Sequence, residues 1–220
     1  MSTVYDCSQT DSRTAGLAAA KNALKAGRLV VLPTDTLYGL GVDAFDSEAV
    51  SSLLRAKGRG RDMPVPVLVG SWNTIDGLVY SVRPQARDLI RAFWPGGLSL
   101  VVEQAPSLAW DLGDARGTVM LRMPLHPVAL ELLRDVGPLA VSSANISGRP
   151  PATTVDEARD QLGGLASVYL DGGPAAHAVA STIVDLTGDS PRILRVGAVS
   201  AEDIADVLGT TPESLVEGVS

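Results

Sequence analysis

The segment Lys57-Gly58-Arg59-Gly60-Arg61 places three cationic side chains within five residues, with glycines between them. Glycine lets the backbone approach phosphate oxygens closely, while lysine supplies a point charge and arginine supplies forked N–H donors. The pattern therefore predicts contact with a polyanion such as a triphosphate. The alternative is a lysine that neutralises a helix end beside a solvated basic turn. Since the chain contains no G-x-x-x-x-G-K-[ST] sequence, any nucleotide is bound without a P-loop.

Two other polar segments could bind a small polar substrate. The residues 34–36, Thr-Asp-Thr, follow a predicted strand at 29–32, at the sheet edge where α/β folds usually bind ligands. The segment 142–145, Ser-Ser-Ala-Asn, also follows a strand and offers hydroxyl, amide and backbone N–H donors. A turn-rich crossover in the first case and an ordinary Asx or Ser turn in the second are the alternatives.

Arg122 interrupts an apolar strand immediately before a proline, so its side chain faces either solvent or a cleft. The glycines in Gly39-x-Gly41-x-x-Ala44 match the letters of a dinucleotide fingerprint. They neither follow a strand directly nor open a helix, so we reject that interpretation. A covalent hydrolase mechanism also lacks support, because no nucleophile, base and acid form a recognisable triad.

The hydrophobic periodicity predicts one α/β domain with an open, mixed sheet, because several strands follow one another without a helix between them. Helices are expected at about 15–26, 47–57, 82–93, 127–136, 155–162 and 201–208, and strands at 29–32, 65–69, 98–102, 119–123, 139–142, 167–170, 182–186 and 193–196. We expect an extended arm at 1–13, a catalytic domain at 14–209 and a frayed tail at 210–220. The residues 33–46 are expected to form a loop.

Composition excludes several classes of protein. The 220 residues are 45% hydrophobic, without an apolar stretch long enough to span a bilayer, so we expect no membrane association. Lys and Arg number 18 against 25 Asp and Glu, and this net charge of −7 argues against a protein that mainly clamps nucleic acid. Cys7 is the single cysteine, and with His126 and His177 it offers too few ligands for an obvious zinc site. The polar amino terminus has no signal-peptide core, so a cytoplasmic location is expected.

Taken in order, PTDTLYGLG, KGRGRDMP, WPGGLSLV, RMPLHP, SSANISGRPPATT, STIVD and ILRVG resemble the YrdC family of L-threonylcarbamoyladenylate synthases. The resemblance runs from about Leu29 to Gly197. It implies an open α/β sheet whose concave face binds ATP and L-threonine. It also implies a reaction in which L-threonine, bicarbonate and ATP give threonylcarbamoyl-AMP and pyrophosphate, for the N6-threonylcarbamoyladenosine of tRNA. A YciO-like nucleotide- or RNA-binding protein with a different substrate is the alternative.

The resemblance also implies roles for individual residues. Those expected to bind ATP are Lys57, Arg59, Arg61, Thr118, Asn145, Thr153 and Arg195, with Lys57 and Arg59 also catalytic. Those expected to bind threonine are Thr34, Arg122, Ser143 and Ser181. Mg²⁺ is expected on the ATP phosphates, bound by ATP oxygens and water and by no assigned protein residue. Many relatives carry a histidine where this chain has Leu68, so no role is assigned at that position.

The resemblance further implies that a separate tRNA threonylcarbamoyl transferase complex consumes the product. An RNA-binding module is the competing hypothesis from another class of function. The net charge of −7 and an aromatic content of 4% speak against it, because few side chains remain for stacking on bases. We therefore expect no tight binding of tRNA by this chain alone.

Overall fold

The computed structural model describes residues 2–176 and 178–216, so His177 lies outside the described residues. The strands, in chain order, are Thr3–Asp6 (β1), Leu29–Leu32 (β2), Gly39–Asp43 (β3), Val67–Leu68 (β4), Leu98–Glu103 (β5), Thr118–Arg122 (β6), Leu139–Ser143 (β7), Ala166–Asp171 (β8), Thr182–Asp185 (β9) and Arg192–Arg195 (β10). The α-helices are Thr10–Lys25 (α1), Ser47–Lys57 (α2), Pro84–Phe93 (α3), Pro127–Val136 (α4), Val155–Leu162 (α5), Ala201–Leu208 (α6) and Pro212–Val216 (α7). Short 3-10 helices occur at Trp72–Gly77 and Gly163–Leu165.

All ten strands belong to one sheet, in the order β1-β8-β2-β3-β7-β4-β6-β5-β9-β10. The pairs β1·β8, β2·β8, β4·β6 and β5·β9 are parallel, and the other neighbours are antiparallel. The sheet is therefore mixed and open, with helices flanking it. This confirms the fold class predicted from the sequence.

Strand β2 shows why the core has two layers. Its four residues are all apolar and buried, as expected for a strand covered on both faces. Val30 and Leu32 pack with α1 and α4, whereas Leu29 and Val31 pack with α2 and α5 on the opposite face. The carboxyl end of β2 then leads into the Thr-Asp-Thr segment that the sequence singled out.

Helix α2 begins and ends as the sequence predicts. The Asp46 carboxylate accepts hydrogen bonds of 3.0 Å from the backbone N–H groups of Glu48 and Ala49, and Gly58 ends the helix with a φ of 62°. Lys57 therefore lies in the last turn, on the face that packs against the sheet, and is only 1% exposed. The apolar stripe thus carries the lysine into the interior.

The prediction of a continuous loop at 33–46 was wrong in one respect, because these residues include strand β3. Glycine has low β-propensity, which hides this strand in the sequence. A Cβ atom at Gly39 would lie 2.6 Å from Val141 Cγ1, so β3 can pair with β7 only because glycine stands there. Gly39 and Gly41 therefore serve strand packing, and the rejection of a dinucleotide fingerprint is confirmed.

The predicted arm and tail were also wrong, because both are part of the fold. Residues Thr3–Asp6 of the arm pair in parallel with β8, and α1 begins at Thr10. In the tail, Leu215 of α7 is 2% exposed, although residues 217–220 lie outside the described part of the chain. Among the described residues, no helix has the length and apolarity needed to cross a bilayer.

Candidate active site

Lys57 joins the end of α2 to the loop that follows β7. Its Nζ atom donates hydrogen bonds to the backbone oxygens of Ser143 (2.6 Å) and Asn145 (2.5 Å) and to Asn145 Oδ1 (2.6 Å), with Ser143 Oγ at 3.3 Å. Lys57 thus fixes the conformation of the Ser-Ser-Ala-Asn loop. The basic segment and this loop, predicted as separate binding elements, form a single unit.

Arg59 is oriented by hydroxyl groups of the same loop. Its Nε and Nη1 atoms each lie 3.2 Å from a serine oxygen, of Ser147 and Ser142 respectively. Within residues 2–176 and 178–216, no carboxylate lies within 4 Å of Lys57 or Arg59. We call the group Lys57, Arg59, Ser142, Ser143 and Asn145 the lysine cluster. Its two cations without a paired carboxylate suit an anionic ligand.

The charge of Lys57 depends on pH near neutrality. Burial, together with the nearby Arg59 guanidinium, lowers the pKa of Lys57 to about 7. The surrounding oxygen acceptors favour the ammonium form. An anion that enters the lysine cluster stabilises the same form, so binding and protonation are linked.

We expect ATP binding to weaken as pH rises from 6 to 8.5, because the free protein loses the Lys57 charge above about pH 7. The dissociation constant should rise by up to about tenfold per pH unit in the wild type. In Lys57→Met, only the titration of ATP itself should remain. Isothermal titration calorimetry of both proteins at four pH values checks this, and identical pH profiles would exclude Lys57 as the titrating group.

Arg122 is the centre of a second buried group. Its Nη2 donates to Asp35 Oδ1 (2.7 Å), its Nη1 to Thr36 Oγ1 (2.7 Å) and its Nε to the Gly96 backbone oxygen (2.8 Å). The side chains of Arg122 and Asp35 are 8% and 5% exposed. The Arg122 side chain is therefore buried and does not face bulk solvent, which excludes one of the two alternatives left open by the sequence.

Ser181 and Arg195 extend this group. Arg195 Nε and Nη2 donate to the Ser181 backbone oxygen at 3.0 and 2.8 Å, and Ser181 Oγ lies 2.8 Å from Ser99 Oγ. Burial lowers the pKa of Arg122 and the nearby charge of Arg195 lowers it further, while Asp35 opposes both effects. We call the group Asp35, Thr36, Arg122, Ser181 and Arg195 the arginine cluster.

One short segment, residues 33–38, connects the two clusters. Thr34 Oγ1 accepts hydrogen bonds of 3.2 Å from the backbone N–H groups of Thr36 and Leu37, which fixes the turn. Beyond it, the Tyr38 backbone oxygen accepts a 2.8 Å bond from Ala144 N, and Gly39 pairs with Ser143. Gly39 is three residue steps along the chain from Thr36, a span of at most about 11 Å. Residues 33–38 therefore link the two clusters through a short stretch of chain.

The clusters mix the two sets of residues predicted from the resemblance. Ser143, expected to bind threonine, contacts Lys57, which was expected to bind ATP. Arg195, expected to bind ATP, contacts Ser181 of the threonine set. Asp35, Thr36, Ser142 and Ser99 received no role from the sequence. The first three stand in the polar segments already noted, whereas Ser99 lies inside an apolar strand and gives no signal.

Arg61 lies apart from Lys57 and Arg59. Its Nη1 and Nη2 atoms bind the two oxygens of Asp111 at 3.0 and 2.8 Å, and its Nε lies 3.2 Å from Asp114 Oδ1. Its side chain is 53% exposed. To contact a triphosphate, this guanidinium would have to exchange both carboxylates for phosphate oxygens.

We expect Arg61→Ala to change the KM for ATP by less than about fivefold, because exposed ion pairs are worth about 0–1 kcal/mol. Arg59→Ala should raise that KM by more than about tenfold, because its charge has no carboxylate partner in the lysine cluster. Steady-state kinetics of the two variants makes the comparison. An effect of Arg61→Ala as large as that of Arg59→Ala would place Arg61 on the triphosphate.

Thr118 and Thr153 contact neither Lys57 nor Arg122. The Thr118 hydroxyl donates to the Ala115 backbone oxygen (2.7 Å), at the opposite end of β6 from Arg122. The Thr153 hydroxyl donates to Glu157 (2.9 Å) at the start of α5. Leu68 is buried and pairs with Arg122 in the β4·β6 ladder.

A family model for Sua5, YciO and YrdC proteins, described as "Telomere recombination", matches residues 22–197. The chain belongs to this family. The resemblance identified from seven sequence segments is thereby confirmed.

Several relatives make the relationship more specific. A candidate threonylcarbamoyl-AMP synthase of Mycobacterium tuberculosis is 66% identical over 98% of this chain and 99% of its own length. The threonylcarbamoyl-AMP synthase of Bacillus subtilis is 36% identical, over 88% of this chain and 56% of its own. The structure of Pyrococcus abyssi Sua5 complexed with L-threonine has a TM-score of 0.88 and 33% identity, covering 95% of this chain. This chain spans 61% of that Sua5 chain.

Escherichia coli YciO has the same fold, with a TM-score of 0.81 at 22% identity, covering 93% of this chain and 100% of its own. At that identity the likeness concerns the fold alone. The relatives named for an activity are instead threonylcarbamoyl-AMP synthases.

Proposed function

We propose that this family member is a threonylcarbamoyl-AMP synthase, which converts L-threonine, bicarbonate and ATP to threonylcarbamoyl-AMP and pyrophosphate. The observation that carries the proposal is the junction of two clusters at residues 33–38. One cluster has cations suited to a polyphosphate, and the other has a buried Arg122 suited to a carboxylate. The names of the relatives point to the same reaction.

In this reaction the lysine cluster receives the triphosphate. Lys57 and Arg59 neutralise the charge that develops on pyrophosphate as it leaves the α-phosphorus, which is the main task in phosphoryl and nucleotidyl transfer. Asn145 and the backbone of its loop orient the phosphates, because Lys57 fixes that loop. Arg195, Thr118 and Thr153 are proposed contacts of the rest of the nucleotide.

The arginine cluster receives L-threonine. Arg122 binds its carboxylate. The proposed hydroxyl contacts are Ser181 of the same cluster, Thr34 of the connecting segment and Ser143 of the lysine cluster. The threonine amine and bicarbonate combine to a carbamate with loss of water. A carbamate oxygen then attacks the α-phosphorus of ATP, and the bond to pyrophosphate breaks. Because the substrates supply the nucleophile, the protein mainly positions them and requires no catalytic triad.

Mg²⁺ is a further part of the proposal, because it binds triphosphate oxygens and retains several waters. The lysine cluster fits this arrangement, since Lys57 and Arg59 would offset phosphate charge and are not metal ligands. Among the described residues, no three His, Cys, Asp or Glu side chains are grouped to hold a metal ion. We propose that the Mg²⁺ enters with ATP.

The direct test is an omission experiment that measures pyrophosphate. Release should require ATP, bicarbonate and L-threonine together, and the other amino acids tested singly should not replace threonine. Release in the absence of threonine would overturn the proposed reaction. A preference for a different amino acid would retain the reaction type and change the substrate.

We further propose that the labile adenylate passes to a separate tRNA threonylcarbamoyl transferase complex in the cytoplasm. This chain should bind tRNA with a dissociation constant weaker than about 1 μM at physiological salt, because its net charge of −7 opposes phosphate contacts. Fluorescence anisotropy, with ATP and threonine absent and then present, measures this. Sub-micromolar, sequence-selective binding would favour the RNA-binding alternative.

A further inference from the structure

The Asp35 carboxylate has one oxygen with two partners and one oxygen with none. Oδ1 accepts hydrogen bonds from Arg122 Nη2 (2.7 Å) and from the backbone N–H of Leu125 (2.9 Å). Among the described residues, Oδ2 has no hydrogen-bond partner, although the residue is only 5% exposed. The one fully enclosed side-chain polar atom without a partner in that part of the chain is His126 Nδ1. Asp35 Oδ2 is therefore not fully enclosed by the protein.

Arg122, the partner of Asp35, has N–H donors that are not used in hydrogen bonds within the described structure. A guanidinium carries five N–H groups, and three of them are directed to Asp35, Thr36 and Gly96 in the described structure. One N–H on each terminal nitrogen remains. The pair thus retains two N–H donors on Arg122 and one carboxylate oxygen on Asp35 without partners among the described residues.

We propose that Asp35 and Arg122 together form a receptor for the two charges of an α-amino acid. Asp35 Oδ2 accepts a hydrogen bond from the α-ammonium group, while the remaining Arg122 donors bind the α-carboxylate. This inference rests on the proposed function, because it concerns the same amino-acid site. It assigns a substrate-binding role to Asp35, which lies in the polar segment 34–36 but received no individual role from the resemblance or the proposed function.

The charge arrangement supports this assignment. An α-amino acid carries opposite charges on groups joined through a single carbon, and Asp35 and Arg122 offer the complementary charges 2.7 Å apart. Both side chains are almost completely buried, so their interaction with a ligand is weakly screened.

The test compares ligands that differ at the amine. Isothermal titration calorimetry measures binding of L-threonine and of 2,3-dihydroxybutanoate, in which a hydroxyl replaces the amine, to the wild type and to Asp35→Asn. We expect the wild type to prefer threonine by at least about tenfold. Asp35→Asn should reduce threonine affinity by at least about tenfold and change that of the hydroxy acid by less than about threefold. Asp111→Asn, at an exposed surface carboxylate, is the matched control.

Three outcomes would overturn the assignment. Equal weakening of both ligands in Asp35→Asn would mean that Asp35 only orients Arg122. A change confined to Mg²⁺-dependent ATP binding would make it a metal ligand. Equal wild-type affinities for threonine and N-acetylthreonine, which lacks the positive charge, would exclude ammonium recognition, and this measurement needs no variant to fold.

The same ligands separate this inference from the proposed function. Wild-type binding of α-amino acids through their ammonium group, without threonine-dependent pyrophosphate release, would support the receptor and overturn the synthase. Threonine-dependent release with equal affinity for the hydroxy acid would support the synthase and overturn the receptor. Absence of binding by any α-amino acid would overturn both.

Discussion

The variant Lys57→Met loses threonine-dependent pyrophosphate formation by a factor of about 100 to 1,000 or more, because a preorganised charge at the phosphates is removed. The same change removes the Lys57 donor from three oxygens. Ser143 O keeps the Asn145 N–H and Asn145 Oδ1 keeps the Ser143 hydroxyl, whereas the Asn145 backbone oxygen is left unpaired, at a cost of roughly 1–3 kcal/mol. The variant should therefore also unfold at lower urea concentration. A pyrophosphate assay and a urea titration monitored by circular dichroism measure the two effects.

Lys21→Met provides the matched control. Lys21 lies on α1, where it pairs with Asp135 at the surface, so its replacement should change neither activity nor stability appreciably. If Lys57→Met retained activity within about threefold of the wild type while losing stability, Lys57 would be a structural lysine that only positions the loop after β7.

The variant Arg122→Lys raises the KM for threonine by about 5- to 150-fold, equivalent to about 1–3 kcal/mol, and raises the KM for ATP by less than about threefold. A single ammonium cannot serve Asp35, Thr36 and Gly96 and also bind a substrate carboxylate through two points. Steady-state kinetics with each substrate varied in turn measures both constants.

The exposed Arg91 of α3 is the control position for that experiment. Arg91→Lys should leave both constants unchanged, because its side chain is 73% exposed. Equal increases in the two KM values of Arg122→Lys would contradict a role specific to the amino acid.

Local rules predicted the parts of the fold that depend on neighbouring residues. Asp46, the apolar stripe and Gly58 defined α2, and their spacing put Lys57 on its buried face. The edge strand β1 was not predicted, because most of its residues are exposed and it has no apolar pattern of its own. Its partner β8 is about 160 residues away in the sequence. Strand β3 was not predicted, because it contains two glycines. The Val141 side chain leaves little room for a Cβ atom at these positions, and sequence periodicity does not reveal that contact.

In the candidate site, too, local sequence motifs were predictable and long-range contacts were not. The motifs identified Lys57, Asn145 and Arg122, but not the partners that determine how these side chains are used. Arg122 and Asp35 are 87 residues apart in the chain, and only the fold brings them together. For Arg61, the alternating Gly-Arg pattern suggested a phosphate ligand, whereas Asp111 and Asp114 supply its partners in the structure.

In the proposed reaction, the carbon of bicarbonate joins the threonine nitrogen to the α-phosphate of ATP. Incubation with ¹³C-bicarbonate, ATP and L-threonine, followed by mass spectrometry, tests this directly. We expect one product that contains AMP, threonine and a single ¹³C atom, formed in equal amount to pyrophosphate. A product in which AMP is joined to threonine without the ¹³C label, or pyrophosphate released without any labelled adenylate, would contradict the account.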